Sequence, residues 1–367
     1  MQHIFEARDL LAQHRAQFFT ENSLKAIADL TVNHTVLTEA IADLLQQKDP
    51  QHHALLATLL SDFSLYCRVA GSVDDAIQKL KLASDYFQEA CASKELCLMK
   101  TELGHLHFAS NNFQLSELYY TEALAEAEIQ GMDHHKTSIL LRLGDVQRLQ
   151  GRVGLALDYY REAQAIARDE LSQADAKECL GKLSRLQKES LPALSHYAQA
   201  LEQYKEIKAV LGQVNCHNGL GDVYFSLPDH GLARTHYSQA LALATSINEP
   251  QGIANAQLGL IRLELSGNGF DESILQKINA VQHSYRSRHE WLGVGNTHFV
   301  LGTYYALQSN PDYARRAYYL ACDMFERVNA SLNFQITHQQ ITEISEDSPH
   351  KSSYLTCLDK KGAVQHA

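Results

Sequence analysis

An internal repeat of about 40 residues constrains the fold of this 367-residue chain more than any other feature. Each complete copy contains a Leu-Gly pair. Counted from that glycine, a small residue stands at +12, a large residue (tyrosine in the complete copies) at +16 and alanine at +19. The complete copies are anchored at Gly104, Gly144, Gly181, Gly221 and Gly302, and two degenerate copies at Ser64 and Gly259. Such regular spacing predicts an array of similar units rather than separate domains.

Each unit has the pattern of two helices. Around Gly144, for example, Leu140, Leu143 and Val146 recur at helical spacing, and a breaker, Gly151, precedes a second apolar-periodic stretch. A glycine inside a helix costs roughly 1 kcal/mol relative to alanine. We therefore expect the anchor glycines where two helices approach closely, with the +16 residue filling the space between them. One helix pair cannot bury its apolar face alone, so neighbouring pairs must stack into a superhelix.

The Leu-Gly…Ala…Tyr…Ala pattern resembles the tetratricopeptide repeat over about residues 53–332. The usual unit is about 34 residues. The longer units here are similar to those of Gα-binding LGN-type adaptors, kinesin light chain, the ligand-sensing domain of the maltose-regulon activator MalT and bacterial peptide-sensing regulators. The resemblance implies an all-α, right-handed α-solenoid of seven helix hairpins with capping helices at both ends. The expected organisation is an N-terminal helical cap (1–50) with two helices over 4–19 and 23–47, the repeats (51–332), a C-terminal capping helix (333–346) and a flexible tail (347–367).

Composition and charge narrow the functional class. The formal net charge is −11, which disfavours nucleic-acid binding because that binding depends on neutralising phosphates. Charged residues interrupt every apolar stretch before it reaches a membrane-spanning length, so we expect no membrane insertion. Glu6 and Asp9 stand where a signal peptide would be basic and apolar. The seven scattered cysteines contain no CxxC pair, a pattern typical of reduced thiols, and we predict a cytoplasmic protein.

Catalytic and metal-binding patterns are incomplete. His289-Glu290 opens a zinc-protease motif, but Gly293 stands where the second histidine is required. The adjacent pair His134-His135 would point apart on a helix, which makes the two rings poor joint ligands. We predict that the chain is not an enzyme and holds no metal and no cofactor.

The resemblance also implies where a partner binds, because the first helix of each family unit lines the concave groove. The implied groove residues are His105, Phe108, Asp145, Arg148, Lys182, Arg185, Asn215, Asn218, Asp222, Phe225, Asn296 and Phe299. Asparagine can donate to and accept from a peptide backbone, and the cations can pair with carboxylates. A protein or peptide partner with some acidic character would fit. In the alternative, the charged groove residues pair with one another, as Asp145 could with Arg148.

Two functions are compatible with these patterns. The first is a non-enzymatic scaffold or adaptor that holds a protein or peptide in its groove. The second is a ligand-responsive regulator, whose superhelix changes on binding a peptide and thereby controls a signalling or transcription partner.

Overall fold

The computed structural model describes residues 2–15, 23–70, 73–267, 272–288 and 290–346. His289 of the incomplete zinc-protease motif and the predicted tail 347–367 lie outside these ranges. Within them the chain forms helices, turns and short loops, with no β-strand. The α-helices are α1 (Gln2–Arg15), α2 (Ser23–Val32), α3 (His34–Gln47), α4 (His53–Ala70), α5 (Val73–Glu89), α6 (Ser93–Ala109), α7 (Phe113–Gln130), α8 (Asp133–Leu149), α9 (Val153–Ile166), α10 (Glu170–Leu186), α11 (Ser190–Glu206), α12 (Val210–Ser226), α13 (His230–Ser246), α14 (Pro250–Leu265), α15 (Glu272–Ser287), α16 (Trp291–Leu307), α17 (Pro311–Arg327) and α18 (Ser331–Glu346), and a 3₁₀ turn spans Pro50–His52.

From α4 onward the helices alternate between two roles. The repeat anchors all lie on even-numbered helices from α4 to α16, and each of these helices packs against the odd-numbered helix that follows it. Even-numbered helices also pack against one another, for instance α8 on α10 and α10 on α12. The all-α solenoid expected from the repeat is confirmed. None of the described helices is long and apolar enough to cross a membrane.

The anchor glycines make room for tyrosine rings. A Cβ atom added to Gly144 would lie 2.3 Å from the ring of Tyr160, the +16 residue of the same unit. The sequence predicted that two helices approach closely at the anchor glycine. In the structure, the group closest to the glycine is the tyrosine ring of the second helix. Gly259 shows the same relationship across units: its own +16 residue is Leu275, and the ring of Tyr237 from the preceding unit lies 2.4 Å from the added Cβ. Glycine is therefore required on the helix surface that the tyrosine covers.

The N-terminal region contains one helix more than the apolar pattern predicted. A single helix was expected over 23–47, but the chain turns at Asn33 and divides it into α2 and α3. The Asn33 side chain donates a 2.8 Å hydrogen bond to the backbone oxygen of Asp29, which competes with regular helix hydrogen bonding. Helix α1 packs on α3 and α4, and α2 packs on α4, so Ile4, Leu11 and Leu30 are fully buried. The division into caps, repeats and tail stays a prediction.

Two distant parts of the solenoid approach each other at one point. Nδ2 of Asn329, in the turn between α17 and α18, lies 3.5 Å from Oε1 of Gln114 near the start of α7. These two residues are 215 positions apart in the chain. The solenoid therefore curves enough to bring the end of α17 within contact distance of α7, and we call this approach the seam.

Candidate functional site

From α8 to α16, successive even-numbered helices pack on one another more closely than successive odd-numbered helices do, so the even-numbered helices lie on the inner side of the curved array. We call the surface formed by α6 to α16 on this side the groove. All twelve sequence-predicted site residues lie on α6, α8, α10, α12 and α16. Each is buried or half-buried. The structure brings several of them together into hydrogen-bonded charge clusters that bridge neighbouring helices, while others stand apart.

Asp145 is the centre of the first cluster. Its Oδ1 accepts hydrogen bonds from the Tyr160 hydroxyl at 2.9 Å and from Arg148 at 3.0 Å, and its Oδ2 lies 3.4 Å from Arg142. Burial favours the neutral acid, but the positive charges of Arg148, Lys182 and Arg142 outweigh it and lower the pKa of Asp145 to about 2. The Asp145–Arg148 pair considered from the sequence is thus present, and this carboxylate is ionised at neutral pH.

Asp222 is the centre of the second cluster and joins three groove helices. Its Oδ1 accepts from the Tyr237 hydroxyl at 2.7 Å and from Arg262 at 3.0 Å, and its Oδ2 lies 3.4 Å from Arg185. Against the effect of burial, the charges of Arg185 and Arg262 lower the pKa of Asp222. The Arg262 guanidinium also lies 4.3 Å from the centre of the Phe225 ring. Arg262 was missed from the sequence because it belongs to a degenerate unit, where no anchor pattern marks the groove positions.

Lys182 belongs to a third cluster on α10. Its Nζ lies 2.5 Å from Oε1 of Glu178. The Tyr204 hydroxyl lies 2.8 Å from Oε2 of the same glutamate and 2.5 Å from Oδ1 of Asp175, one helical turn earlier. Asp175 and Glu178 occupy groove positions that the repeat register of this unit also implies, on the same helix as Lys182.

The second unit has a different arrangement around His105. Its ring meets the edge of Tyr120 with centroids 5.6 Å apart, and its Nδ1 lies 3.6 Å from Oε1 of Glu102. Glu102 also accepts a 2.6 Å hydrogen bond from Ser64. Burial opposes ionisation of Glu102, but His105 and the charge of Arg68 lower its pKa to about 2. The Tyr120 hydroxyl is fully buried and has no hydrogen-bond partner among the described residues.

Asn218 lies on α12 with its amide unpaired. Both Oδ1 and Nδ2 are buried, and neither has a hydrogen-bond partner in the part of the chain that the structure describes. The same holds for Nε of Arg185 on the adjacent helix α10. An unpaired buried polar group costs about 1 to 3 kcal/mol, so an external donor and acceptor placed here would be stabilising. Asn215 lies one turn before Asn218 on the same helix and is half-buried.

The C-terminal end of the groove is built from amides and aromatic rings. Nδ2 of Asn333 on α18 donates to Oδ1 of Asn296 at 3.2 Å, and the rings of Phe299 and Tyr318 have centroids 5.4 Å apart. The sequence missed Asn333 because α18 was taken as a simple cap. Phe108, by contrast, packs on Phe113 inside its own hairpin, at a centroid distance of 5.6 Å. Among the described residues, no group of three or more His, Cys, Asp or Glu is arranged to hold a metal ion.

Comparisons with known proteins agree with this architecture. Residues 101–170 match the tetratricopeptide repeat family model, and the chain as a whole has the helical-repeat fold of that type. A search of curated protein sequences finds no match. The specific likeness to LGN-type adaptors, kinesin light chain or MalT stays a prediction.

Three solved structures illustrate the fold. The Rap conjugation gene regulator of plasmid pLS20, in complex with the Phr* peptide, has a TM-score of 0.62 and 14% identity over 89% of this chain and 96% of its own. The apo quorum sensor NprR from B. thuringiensis has a TM-score of 0.58 and 13% identity over 88% and 97%. Aspartyl phosphate phosphatase F from Bacillus subtilis has a TM-score of 0.53 and 12% identity over 94% and 93%. At these identities the likeness establishes the fold alone.

Proposed function

We propose that the protein binds a peptide in the groove, centred on Asn218, and acts as a non-enzymatic scaffold or regulator. The observation that carries this proposal is the buried, unpaired amide of Asn218 beside the unpaired Nε of Arg185. A peptide backbone presents one carbonyl and one N–H per residue, so it can satisfy both atoms of the amide together. An unpaired buried polar group raises the free energy of the unbound protein. Because a bound peptide pairs these groups, binding is favoured.

The charge clusters support a partner with some acidic character. Arg142 lies 3.4 Å from Asp145 and Arg185 lies 3.4 Å from Asp222, and both side chains stay more than a third exposed, so some of their N–H groups can reach a ligand. Guanidinium groups with free N–H donors pair well with carboxylates. The Phe299 ring at the other end of the groove offers a contact for an apolar side chain.

A peptide screen on the full-length protein tests this function. A soluble library of decapeptides is screened for binding, and the binders are titrated against the wild type and Asn218→Ala. We expect the substitution to weaken binding about tenfold, since it removes a paired amide worth about 1.4 kcal/mol. Gln239→Ala, an exposed amide on α13, is the matched control and should leave affinity unchanged.

The double variant Arg148→Glu plus Arg185→Glu tests the contribution of groove charge to binding. It reverses two groove charges and should abolish the binding of acidic peptides. If Asn218→Ala and the double variant both bind as the wild type does, the groove is not the binding site.

A peptide-responsive regulator is the second candidate, and the seam favours it. A coil whose Asn329 lies against Gln114 can tighten or loosen as a whole when a ligand fills its groove. One protein of similar fold was solved with the Phr* peptide and another is named as a quorum sensor, which agrees with this candidate. Small-angle scattering with and without a saturating peptide distinguishes the regulator from the scaffold. A changed radius of gyration supports the regulator, whereas an unchanged radius with proven binding supports the scaffold.

We also propose that the groove carboxylates have no catalytic role, although one protein of similar fold carries the name aspartyl phosphate phosphatase F. Asp145 and Glu102, with pKa values of about 2, are weak bases at neutral pH and poorly suited to proton abstraction. Incubation with acetyl phosphate should give the same hydrolysis rate as buffer. A rate above buffer that is lost in Asp145→Asn would contradict this proposal.

We also propose that the protein is cytoplasmic and does not bind nucleic acid. The described cysteines are free thiols, and most are buried, which suits a reducing compartment. The net charge of −11 opposes association with phosphate backbones. Fractionation of cells that express the tagged chain tests the cytoplasmic location. A gel-shift assay with duplex DNA at low salt tests the absence of nucleic-acid binding.

A further inference from the structure

One hydroxyl group in the groove lies between two carboxyl groups. The Tyr204 oxygen is 2.5 Å from Oδ1 of Asp175 and 2.8 Å from Oε2 of Glu178. A hydroxyl carries one proton, so it can donate to only one of these oxygens. The other contact would bring an ionised carboxylate against an oxygen lone pair with no proton between them. Both contacts are favourable only if one of the carboxyl groups carries a proton of its own.

The ion pair on α10 decides which carboxyl group that is. Nζ of Lys182 lies 2.5 Å from the second oxygen of Glu178, which stabilises the ionised form of Glu178. Asp175 has no such cation within ion-pair distance among the described residues, and its bond to Tyr204 is the one side-chain hydrogen bond it forms there. The proton therefore belongs on Asp175.

We propose that Asp175 is a protonated carboxyl group that donates to the Tyr204 oxygen, while the Tyr204 hydroxyl donates to ionised Glu178. The arrangement is a short relay from a neutral acid through a phenol to a carboxylate held by Lys182. Independently, burial raises the pKa of Asp175, and the negative charge of Glu178 adds to that rise. The charged and titratable groups around Asp175 are Glu178 and Lys182 on its own helix, Arg142 from α8, Tyr204 from α11 and Cys216 from α12.

The proton on Asp175 sets the charge of the central groove. With Asp175 neutral, the cations Arg142, Arg148, Lys182, Arg185 and Arg262 face the anions Asp145, Glu178 and Asp222, which leaves two net positive charges. Ionisation of Asp175 halves that excess. For ligand binding, which rests on the function proposed above, an acidic peptide should therefore bind more tightly while Asp175 keeps its proton.

Thermal unfolding as a function of pH tests the proton without any ligand. A carboxyl group whose folded pKa is raised contributes stability below its ordinary pKa and loses it as pH rises through the folded value. From pH 4 to pH 8 the wild-type Tm should therefore fall by about 3 °C or more relative to Asp175→Asn, which keeps a neutral side chain of the same shape. Asp145→Asn is the matched control, because the lowered pKa of Asp145 gives no such fall over this range.

Infrared spectroscopy gives a second readout, which reports the protonation state of the carboxyl group directly and not through stability. At neutral pH, the difference spectrum between wild type and Asp175→Asn should contain the C=O stretch of a protonated carboxyl group. Parallel Tm curves for wild type and Asp175→Asn from pH 4 to pH 8, or a difference spectrum without that band, would overturn the proposal.

Peptide titrations then separate this inference from the proposed function. A glutamate-containing decapeptide from the screen should lose about fivefold in affinity for the wild type between pH 5.5 and pH 8, because ionised Asp175 cancels one of the positive charges in the groove. The loss should be less than twofold for Asp175→Asn. If the unfolding and infrared results hold but no peptide binds the groove, the proton on Asp175 stands and the binding function is wrong. If the peptide binds with equal pH dependence to both proteins, binding stands and the link to Asp175 is wrong.

Discussion

The Tyr160 hydroxyl donates a hydrogen bond to Oδ1 of Asp145, fifteen positions earlier, across a distance of 2.9 Å. The same fifteen-residue pairing recurs in other units, between Tyr237 and Asp222 at 2.7 Å and between Tyr318 and Thr303 at 3.2 Å. The +16 tyrosine therefore has two functions in its unit. Its ring covers the anchor glycine, and its hydroxyl fixes the side chain that follows that glycine in the groove.

Removing the Tyr160 hydroxyl should destabilise the protein. Tyr160→Phe leaves the buried oxygen of Asp145 short of one donor, so we expect a loss of about 1 kcal/mol in the free energy of unfolding. Tyr120→Phe is the matched control, since the Tyr120 hydroxyl is buried without a partner among the described residues, and its removal should not destabilise the protein and should even stabilise it. Urea unfolding followed by circular dichroism measures both. Equal losses in the two variants would contradict this role for the fifteen-residue pair.

Alanine at an anchor glycine should clash with the tyrosine ring. In Gly144→Ala the new Cβ would lie 2.3 Å from Tyr160, so the ring must move and the cost of overpacking exceeds the gain in helix propensity. We expect a net loss of about 2 kcal/mol. Gly154→Ala provides the opposite case within α9, because nothing lies within 4 Å of its added Cβ, and it should be stabilising by up to about 1 kcal/mol. A stable Gly144→Ala would show that the ring can be displaced at little cost.

Acid should weaken the protein through Asp145. The pKa of this residue is about 2 in the folded protein, below its ordinary value, so its contribution is complete above pH 4 and disappears as pH falls towards 2. The contribution is on the order of 2 kcal/mol. Unfolding measured from pH 6 to pH 2 should therefore show a shallower acid dependence for Asp145→Asn than for the wild type. Identical slopes for the two proteins would mean that Asp145 titrates normally.

Two carboxylates placed at the seam should open it. In the double variant Gln114→Glu plus Asn329→Asp, like charges replace a donor and an acceptor that lie 3.5 Å apart, so the ends of the coil should separate. Each single variant keeps one amide to pair with the new carboxylate and serves as the control. Small-angle scattering at low salt should show a larger radius of gyration for the double variant alone, and the difference should shrink at high salt. An unchanged radius would mean that the seam does not hold the coil closed.

The fold follows from the sequence because its determinants are local and repeated. Gly144 and Tyr160 lie sixteen positions apart and touch within one hairpin, so the same spacing appears in every complete copy. The break at Asn33 was not predictable from apolar periodicity, because the apolar positions continue on both sides of it. It depends on one side-chain hydrogen bond to Asp29.

The candidate site was only partly predictable. The repeat register predicts on which helix residues such as Asp145 and Arg185 lie, but it does not predict partners that come from other helices, such as Tyr160 for Asp145 and Asp222 for Arg185. Arg262 reaches Asp222 from 40 positions away and from a unit with a degenerate motif. The Asp175–Tyr204–Glu178 arrangement likewise depends on distances across a helix pair, which no spacing rule contains.

The approach of Asn329 to Gln114 brings two distant parts of the coil together at one point. A ligand that extends past this point must thread through end first, or the two side chains must part to admit it and then meet again behind it. The seam therefore restricts how thick a ligand can be at that point, whereas the length of the ligand is free to vary.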